Sequence, residues 1–96
     1  MAAYVIAQVK VKDPEKLAAY SQAAGPTVAE FGGKLIVRAP ALEVLSGDVD
    51  YDRCVIMEFG DAASARAWYN SEAYQALVPL RSQGADVVFT LAEAAE

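Results

Sequence analysis

Few residues in this chain could carry chemistry. The segment Trp68-Tyr69-Asn70-Ser71-Glu72-Ala73-Tyr74 groups three aromatic rings, two of them phenols, around a polar interruption. Two charged residues fall inside apolar, strand-like stretches: Arg38 within residues 34–39 and Glu58 within residues 53–59. A carboxylate between Met57 and Phe59 is costly to bury unless it is paired. Glu58 is therefore expected either to form an ion pair with Arg38 on the adjacent strand or, with a raised pKa, to serve as a general base. Arg38 could alternatively hold an anionic ligand. Trp68, Tyr69, Tyr74 and Tyr20 sit at helical spacings that suit core packing. The sharper alternative is that one or two phenol hydroxyls line a cavity and hydrogen-bond a carbonyl-bearing ligand. The candidate ligand-binding set is thus Arg38, Glu58, Trp68, Tyr69 and Tyr74, with Glu58 the candidate catalytic residue if the chain is an enzyme at all.

Other chemistries are disfavoured by what the chain lacks. It has no histidine, the usual acid–base group near neutral pH. Imidazole ligation of haem and every His-containing metal site go with it. Ser71 has no histidine base to make it a nucleophile and reads as a helix N-cap. Asp48, Asp50 and Asp52 alternate as at the start of a calcium loop, but Arg53 stands at the glycine position and Phe59 at the place of the bidentate glutamate. Gly32-Gly33 follows a helix instead of opening one, which makes it a helix terminator and not a nucleotide fingerprint. No cofactor and no metal are expected. The single cysteine, Cys54, excludes an internal disulfide, fits a reducing cytoplasm and is expected as an inert core residue.

With 13 Asp+Glu against 8 Lys+Arg and a net charge of -5, the chain has no basic cluster to neutralise nucleic-acid phosphates or an anionic membrane surface. Its apolar runs are strand-length, far short of the roughly 20 residues of a spanning helix. Tyr4-Val5-Ile6 is flanked too closely by Gln8, Lys10 and Lys12 to resemble a signal peptide. Its 96 residues form a single domain, residues 1–96, and 55% of them are hydrophobic. A small domain with that much apolar surface often uses the excess at an oligomer interface, which favours a dimer.

The elements that would position these residues follow from periodicity. Residues 3–12 alternate: Val5, Ala7, Val9 and Val11 point one way, Tyr4, Ile6, Gln8, Lys10 and Lys12 the other. Asp13-Pro14-Glu15 reads as N-cap, first-turn proline and dipole-matched acid. Leu17, Tyr20, Ala24, Val28 and Phe31 then form one helix face, with a kink or brief break expected at Gly25-Pro26. Residues 34–39 form a second strand stopped by Pro40, and residues 42–45 a short edge strand. Residues 53–59 form a central strand. Asp61 caps a helix that Ser71 restarts, Pro79 bends or closes that helix, residues 86–91 make the last strand, and residues 92–96 fray. The order βαββαβ is the ferredoxin-like arrangement: an α+β fold with an antiparallel sheet and two helices on one face. The opposite face, with Ile6 among its residues, is too apolar to stay wet and suits a second copy related by a twofold axis.

Several of these segments together resemble a known family. They are Tyr4-Val5-Ile6-Ala7 with Val9 and Val11-Lys12-Asp13; Phe31-Gly32-Gly33-Lys34 leading into Val37-Arg38; Val44-Leu45-Ser46-Gly47; Ile56-Met57-Glu58-Phe59; and the Trp68–Tyr74 stretch with Arg81. Their order and spacing, over nearly the whole chain, are similar to the domain-of-unknown-function 1330 family. The resemblance implies the dimeric α+β barrel superfamily, in which two ferredoxin-like protomers set their sheets face to face, and it implies no particular activity. Ala39-Pro40 stands where the family usually has Gly-Gly, and Gly60 where proline is common. The expected function is a small homodimeric protein that binds a small organic ligand between sheet and helices. One alternative is a cofactor-free monooxygenase or isomerase acting on a small aromatic or carbonyl compound, as in related barrel families. A structural dimer without a ligand is a third reading.

Overall fold

The computed structural model describes residues 1–95. Strand β1 (Ala3–Val11) is followed by helix α1 (Pro14–Glu30), strands β2 (Lys34–Pro40) and β3 (Arg53–Phe59), helices α2 (Ala62–Tyr69), α3 (Glu72–Gln75) and α4 (Val78–Gly84), and strand β4 (Ala85–Glu93). The four strands form one antiparallel sheet in the order β2-β3-β1-β4. This is the expected ferredoxin-like order, with the second helical unit divided into three short pieces. Among the described residues, no helix is long and apolar enough to cross a membrane.

Alternation in β1 sets the two faces of the sheet. Ala3, Val5, Ala7 and Val9 are buried, and they are joined by Met57 and Phe59 of β3 and Ala85 of β4. The helices contribute Leu17, Tyr20, Ala24, Val28, Ala65, Trp68 and Tyr74 to the same core. The other face pairs Tyr4 with Glu58, Ile6 with Ile56 and Gln8 with Cys54. Cys54 is thus a half-buried residue of the face without helices, and not the core residue expected from its apolar strand; its parity opposes that of Met57 and Phe59.

Strand β2 is irregular. Lys34 pairs with Glu58 and Leu35 with Met57, but Val37, not Ile36, pairs with Ile56. One extra residue has entered the strand, and a bulge of this kind reverses the facing of every residue beyond it. Arg38 consequently pairs with Val55, on the helix-bearing face.

Helix α1 begins where the sequence indicates: the Asp13 carboxylate accepts hydrogen bonds from the backbone N–H of Glu15 and Lys16. The expected break at Gly25-Pro26 does not occur, and the helix is continuous to Glu30. Gly25 has no Cβ to meet the proline ring, which relieves the usual clash of a residue before proline. Thr27 Oγ1 donates to the Ala24 carbonyl at 2.6 Å and ties the same turn. The chain leaves α1 through Gly32, whose φ of +78° suits glycine. Gly33 then packs so closely that a Cβ there would lie 2.6 Å from the Phe59 ring.

Three further expectations are corrected. Residues 42–45 form no edge strand; the segment between β2 and β3 lies outside the sheet, and Leu42 and Leu45 are 94% and 91% exposed. Its base is closed by Ala41 N–H to the Asp52 carbonyl and by the Asp52 carboxylate accepting from Val11 N–H. Pro79 does not end a helix but stands in the first turn of α4, where its missing N–H costs nothing. Finally, β4 continues to Glu93, and Ala94 N–H donates to the Ala2 carbonyl, so residues 92–94 are tied down; Glu96 lies outside the described residues.

Candidate functional site

Two helix starts position the aromatic cluster. Asp61 accepts from Ser64 N–H and opens α2. Ser71 accepts from Tyr74 N–H and donates to the Trp68 carbonyl, so one hydroxyl closes α2 and opens α3. Trp68 is buried against Phe59 and Tyr74, with ring centroids 5.5 and 4.4 Å away. Its Nε1–H donates to Thr27 Oγ1 at 3.0 Å, which fixes the indole to α1.

A second hydroxyl network of the core lies beside it. Tyr20 and Tyr74 share a hydrogen bond of 2.6 Å between their hydroxyls, and Arg81 Nη1 donates to the Tyr74 oxygen at 2.9 Å. Arg81 also lies over the Phe89 ring, 5.2 Å from its centroid. Burial pushes the Tyr20 hydroxyl far above its ordinary pKa, and the neighbouring Tyr74 adds to the shift. Burial raises Tyr74 as well, although its hydrogen bonds to Tyr20 and Arg81 oppose the shift. Both phenols are therefore neutral near pH 7.

The arrangement leaves a cleft between α1 and the sheet. At one end α1 is pressed onto α4: a Cβ on Gly84 would lie 2.7 Å from the Leu17 backbone nitrogen. At the other it is held by the Gly33–Phe59 contact. Along its length Leu17, Ser21, Ala24 and Ala29 face a cavity of about 450 Å³, closed below by strand residues such as Val9, Val55, Met57 and Val87. The walls are apolar, and Leu35 is 53% exposed there. Its charged lining residues are Lys34, Arg38 and Arg53, with no Asp or Glu. The Lys34 ammonium is engaged by Glu58 at 3.3 Å.

A second cleft of about 340 Å³ lies between α2 and strands β1 and β4, lined by Ala65, Arg66, Tyr69, Asn70, Arg81 and Thr90 among others. Trp68 and Phe89 border both spaces and form the wall between them.

The expected site residues are distributed over this architecture. Arg38 and Trp68 meet at the α1 cleft, and Trp68 and Tyr69 at the second. Tyr74 is wholly buried and lines neither. Glu58 lies on the opposite sheet face, directly across from Lys34, so its ion-pair partner is Lys34 and not Arg38; the β2 bulge in addition turns Arg38 to the cleft face. Sequence reasoning missed Arg53, although its alternation with Val55, Met57 and Phe59 places it on the core-facing side. It also kept Tyr20 out of the candidate set, whereas Tyr20 borders the α1 cleft.

Residues 2–95 match the family model described as a domain of unknown function, DUF1330, and the chain belongs to that family. A crystal structure of a protein of unknown function from Rhodopseudomonas palustris is similar, with 19% identity, a TM-score of 0.82, and coverage of 99% of this chain and 83% of that one. A dimeric ferredoxin-like protein of unknown function from Jannaschia is 10% identical with a TM-score of 0.77, covering 98% of this chain and 100% of the other. SnoaB, a cofactor-independent oxygenase from Streptomyces nogalater, is 11% identical with a TM-score of 0.71, covering 99% of this chain and 94% of its own. At these identities the likeness is one of fold. No curated protein matches the sequence.

Proposed function

We propose that the protein is a homodimeric binder of a small organic molecule, which it takes into the cleft between α1 and the sheet. The observation that carries this reading is the cleft itself. Its volume of about 450 Å³ lies within the range of small-molecule sites, roughly 300–1,000 Å³, and so does its character of apolar walls with a few polar groups. The twofold partner would cover the sheet face that lacks helices, where Ile6, Ile56, Val37 and Val88 stand half-exposed or exposed. The dimeric ferredoxin-like neighbours support this, as do the exposed Leu42 and Leu45 beyond β2.

A thermal-shift screen against a metabolite set tests the binding. Hits should raise the Tm of the native chain and leave Ser21→Trp unmoved, since Ser21 lines the cleft and is only half-buried, so an indole there fills the space without breaking a core contact. A Tm unmoved across the whole set would overturn the reading in favour of a structural dimer.

SnoaB's description as a cofactor-independent oxygenase supports a second reading, an enzyme acting on an aromatic or carbonyl compound without a cofactor. It ranks second because no carboxylate lines either cleft and Glu58 faces away from both. Product formation from an electron-rich phenol or enol under oxygen, lost in Ser21→Trp but retained in Glu58→Gln, would raise it to first place.

A further inference from the structure

We infer that the ligand of the α1 cleft is an apolar carboxylate, an aromatic acid in the simplest case, with its carboxylate held by Arg38 and Arg53 and its body between α1 and the sheet. This rests on the α1 cleft being the ligand site.

Three observations converge. First, the two guanidinium groups share one face and one corner of the sheet. Arg38 pairs with Val55 and Arg53 with Pro40, which makes the two arginines diagonal neighbours about 7–8 Å apart along the sheet, within reach of one another for long side chains. Arg38 is there only because the bulge between Leu35 and Val37 turned it from the Glu58 face to the cleft face.

Second, both are without an anionic partner among the described residues, in a chain that has acids to spare. The net charge is -5, yet the acids serve lysines elsewhere: Asp50 and Asp52 serve Lys10, Asp86 serves Lys12 and Glu58 serves Lys34. Among the described residues neither Arg38 nor Arg53 forms a salt bridge, and no Asp or Glu lines the cleft. Two like charges side by side repel, and an anion between them removes that cost.

Third, the remaining lining suits one charged end and little else polar. Beyond the two arginines, the polar lining groups are Tyr20, whose hydroxyl is occupied by Tyr74, the engaged Lys34, and Ser21. A planar carboxylate satisfies its oxygens on guanidinium forks. A phosphate would leave further oxygens facing apolar walls, which is unfavourable. The walls themselves, with Ala7, Ala24, Gly25 and Gly33 among larger apolar side chains, suit an apolar body.

Isothermal titration calorimetry on the intact protein with two probes of nearly equal shape, 2-naphthoate and 2-naphthamide, tests this. The expected result is naphthoate binding at least tenfold more tightly than the amide. That preference should collapse in Arg38→Gln and in Arg53→Gln while the affinity for the amide is retained, and Ser21→Trp should abolish both. Arg38 is exposed and Arg53 half-exposed, so neither change disturbs the core, and unchanged Tm values would show it. Equal binding of the two probes, or a preference that survives both arginine substitutions, would overturn the carboxylate assignment and leave the cleft reading standing. Loss of dimer mass in the arginine variants with no change in preference would also overturn it, because the arginines would then serve the partner subunit. Binding of neither probe would overturn the aromatic-carboxylate assignment, while the cleft reading itself falls only with a Tm unmoved across the whole metabolite set.

Discussion

The buried Tyr74 hydroxyl bridges Tyr20 and Arg81. Replacing it by Phe leaves the Tyr20 hydroxyl without its partner and removes an acceptor from Arg81. Tyr74→Phe should therefore cost about 1–3 kcal/mol, the penalty of a buried polar group left unsatisfied, read from urea unfolding with an unchanged m-value. The same pair makes stability depend on pH at the alkaline end. Their folded pKa values are raised above the ordinary 10.0, so above pH 10 the unfolded chain releases protons that the folded chain keeps. The contribution is fully present below pH 10 and is lost as pH rises beyond it. The double variant Tyr20→Phe/Tyr74→Phe should show a flatter decline of stability above pH 10 than the native chain, and an equally steep decline would contradict the assignment. At this scale the sequence is informative about membership but not about depth. Helical spacing groups Trp68, Tyr69 and Tyr74 correctly, yet it cannot separate a ring that seals the core, as Tyr74 does, from one that borders a cleft, as Tyr69 does, because that depends on what the other elements bring against it.

At the scale of elements, α1 carries its own inefficiency. Pro26 is exposed and lies inside the helix, where it removes one backbone hydrogen bond. Pro26→Ala should stabilise the protein by about 2–2.5 kcal/mol, the interior-proline penalty less the entropy that proline removes from the unfolded chain; thermal unfolding checks this. Gly84→Ala should act oppositely. The added methyl would meet the Leu17 backbone at 2.7 and 2.9 Å, and a backbone atom cannot move aside as a flexible side-chain end can. A loss of about 1–3 kcal/mol, typical of overpacking, is expected from the same measurement, together with a shift of α1 and hence of the cleft. Element type was readable nearly throughout: the caps at Asp13, Asp61 and Ser71 and the alternation of β1 and β3 carry it. The β2 bulge was not. No Gly or Pro marks residues 35–37, the usual local sign of such an irregularity, so the facing of Arg38 and its register against Glu58 were not legible. Arg53 needed no bulge and was legible from parity alone.

For the whole molecule, one sheet face bears all the helices and the other bears none. Its centre is the Ile6–Ile56 pair, flanked by Val37 across β3. A charge there is tolerable in a lone protomer but not in a dry interface. Ile56→Asp should therefore convert a dimer into single chains of 10.2 kDa in sedimentation equilibrium at micromolar concentration, with the circular dichroism spectrum unchanged. A native chain that sediments as a monomer would contradict the dimer. The ferredoxin-like order was readable from the succession of elements, and family membership from short segments in order; the cleft was not, because its volume arises from how far α1 stands off β2 and β3, which no local pattern encodes. The most direct test of the cleft as a binding site is a ¹⁵N–¹H correlation spectrum of the labelled protein titrated with a set of small aromatic acids and their neutral amides. Shifts that gather at Ser21, Ala24, Gly25, Arg38, Arg53 and Val55 and saturate are the expected result. A spectrum that does not change with any of these compounds, or shifts confined to the sheet face without helices, would contradict it.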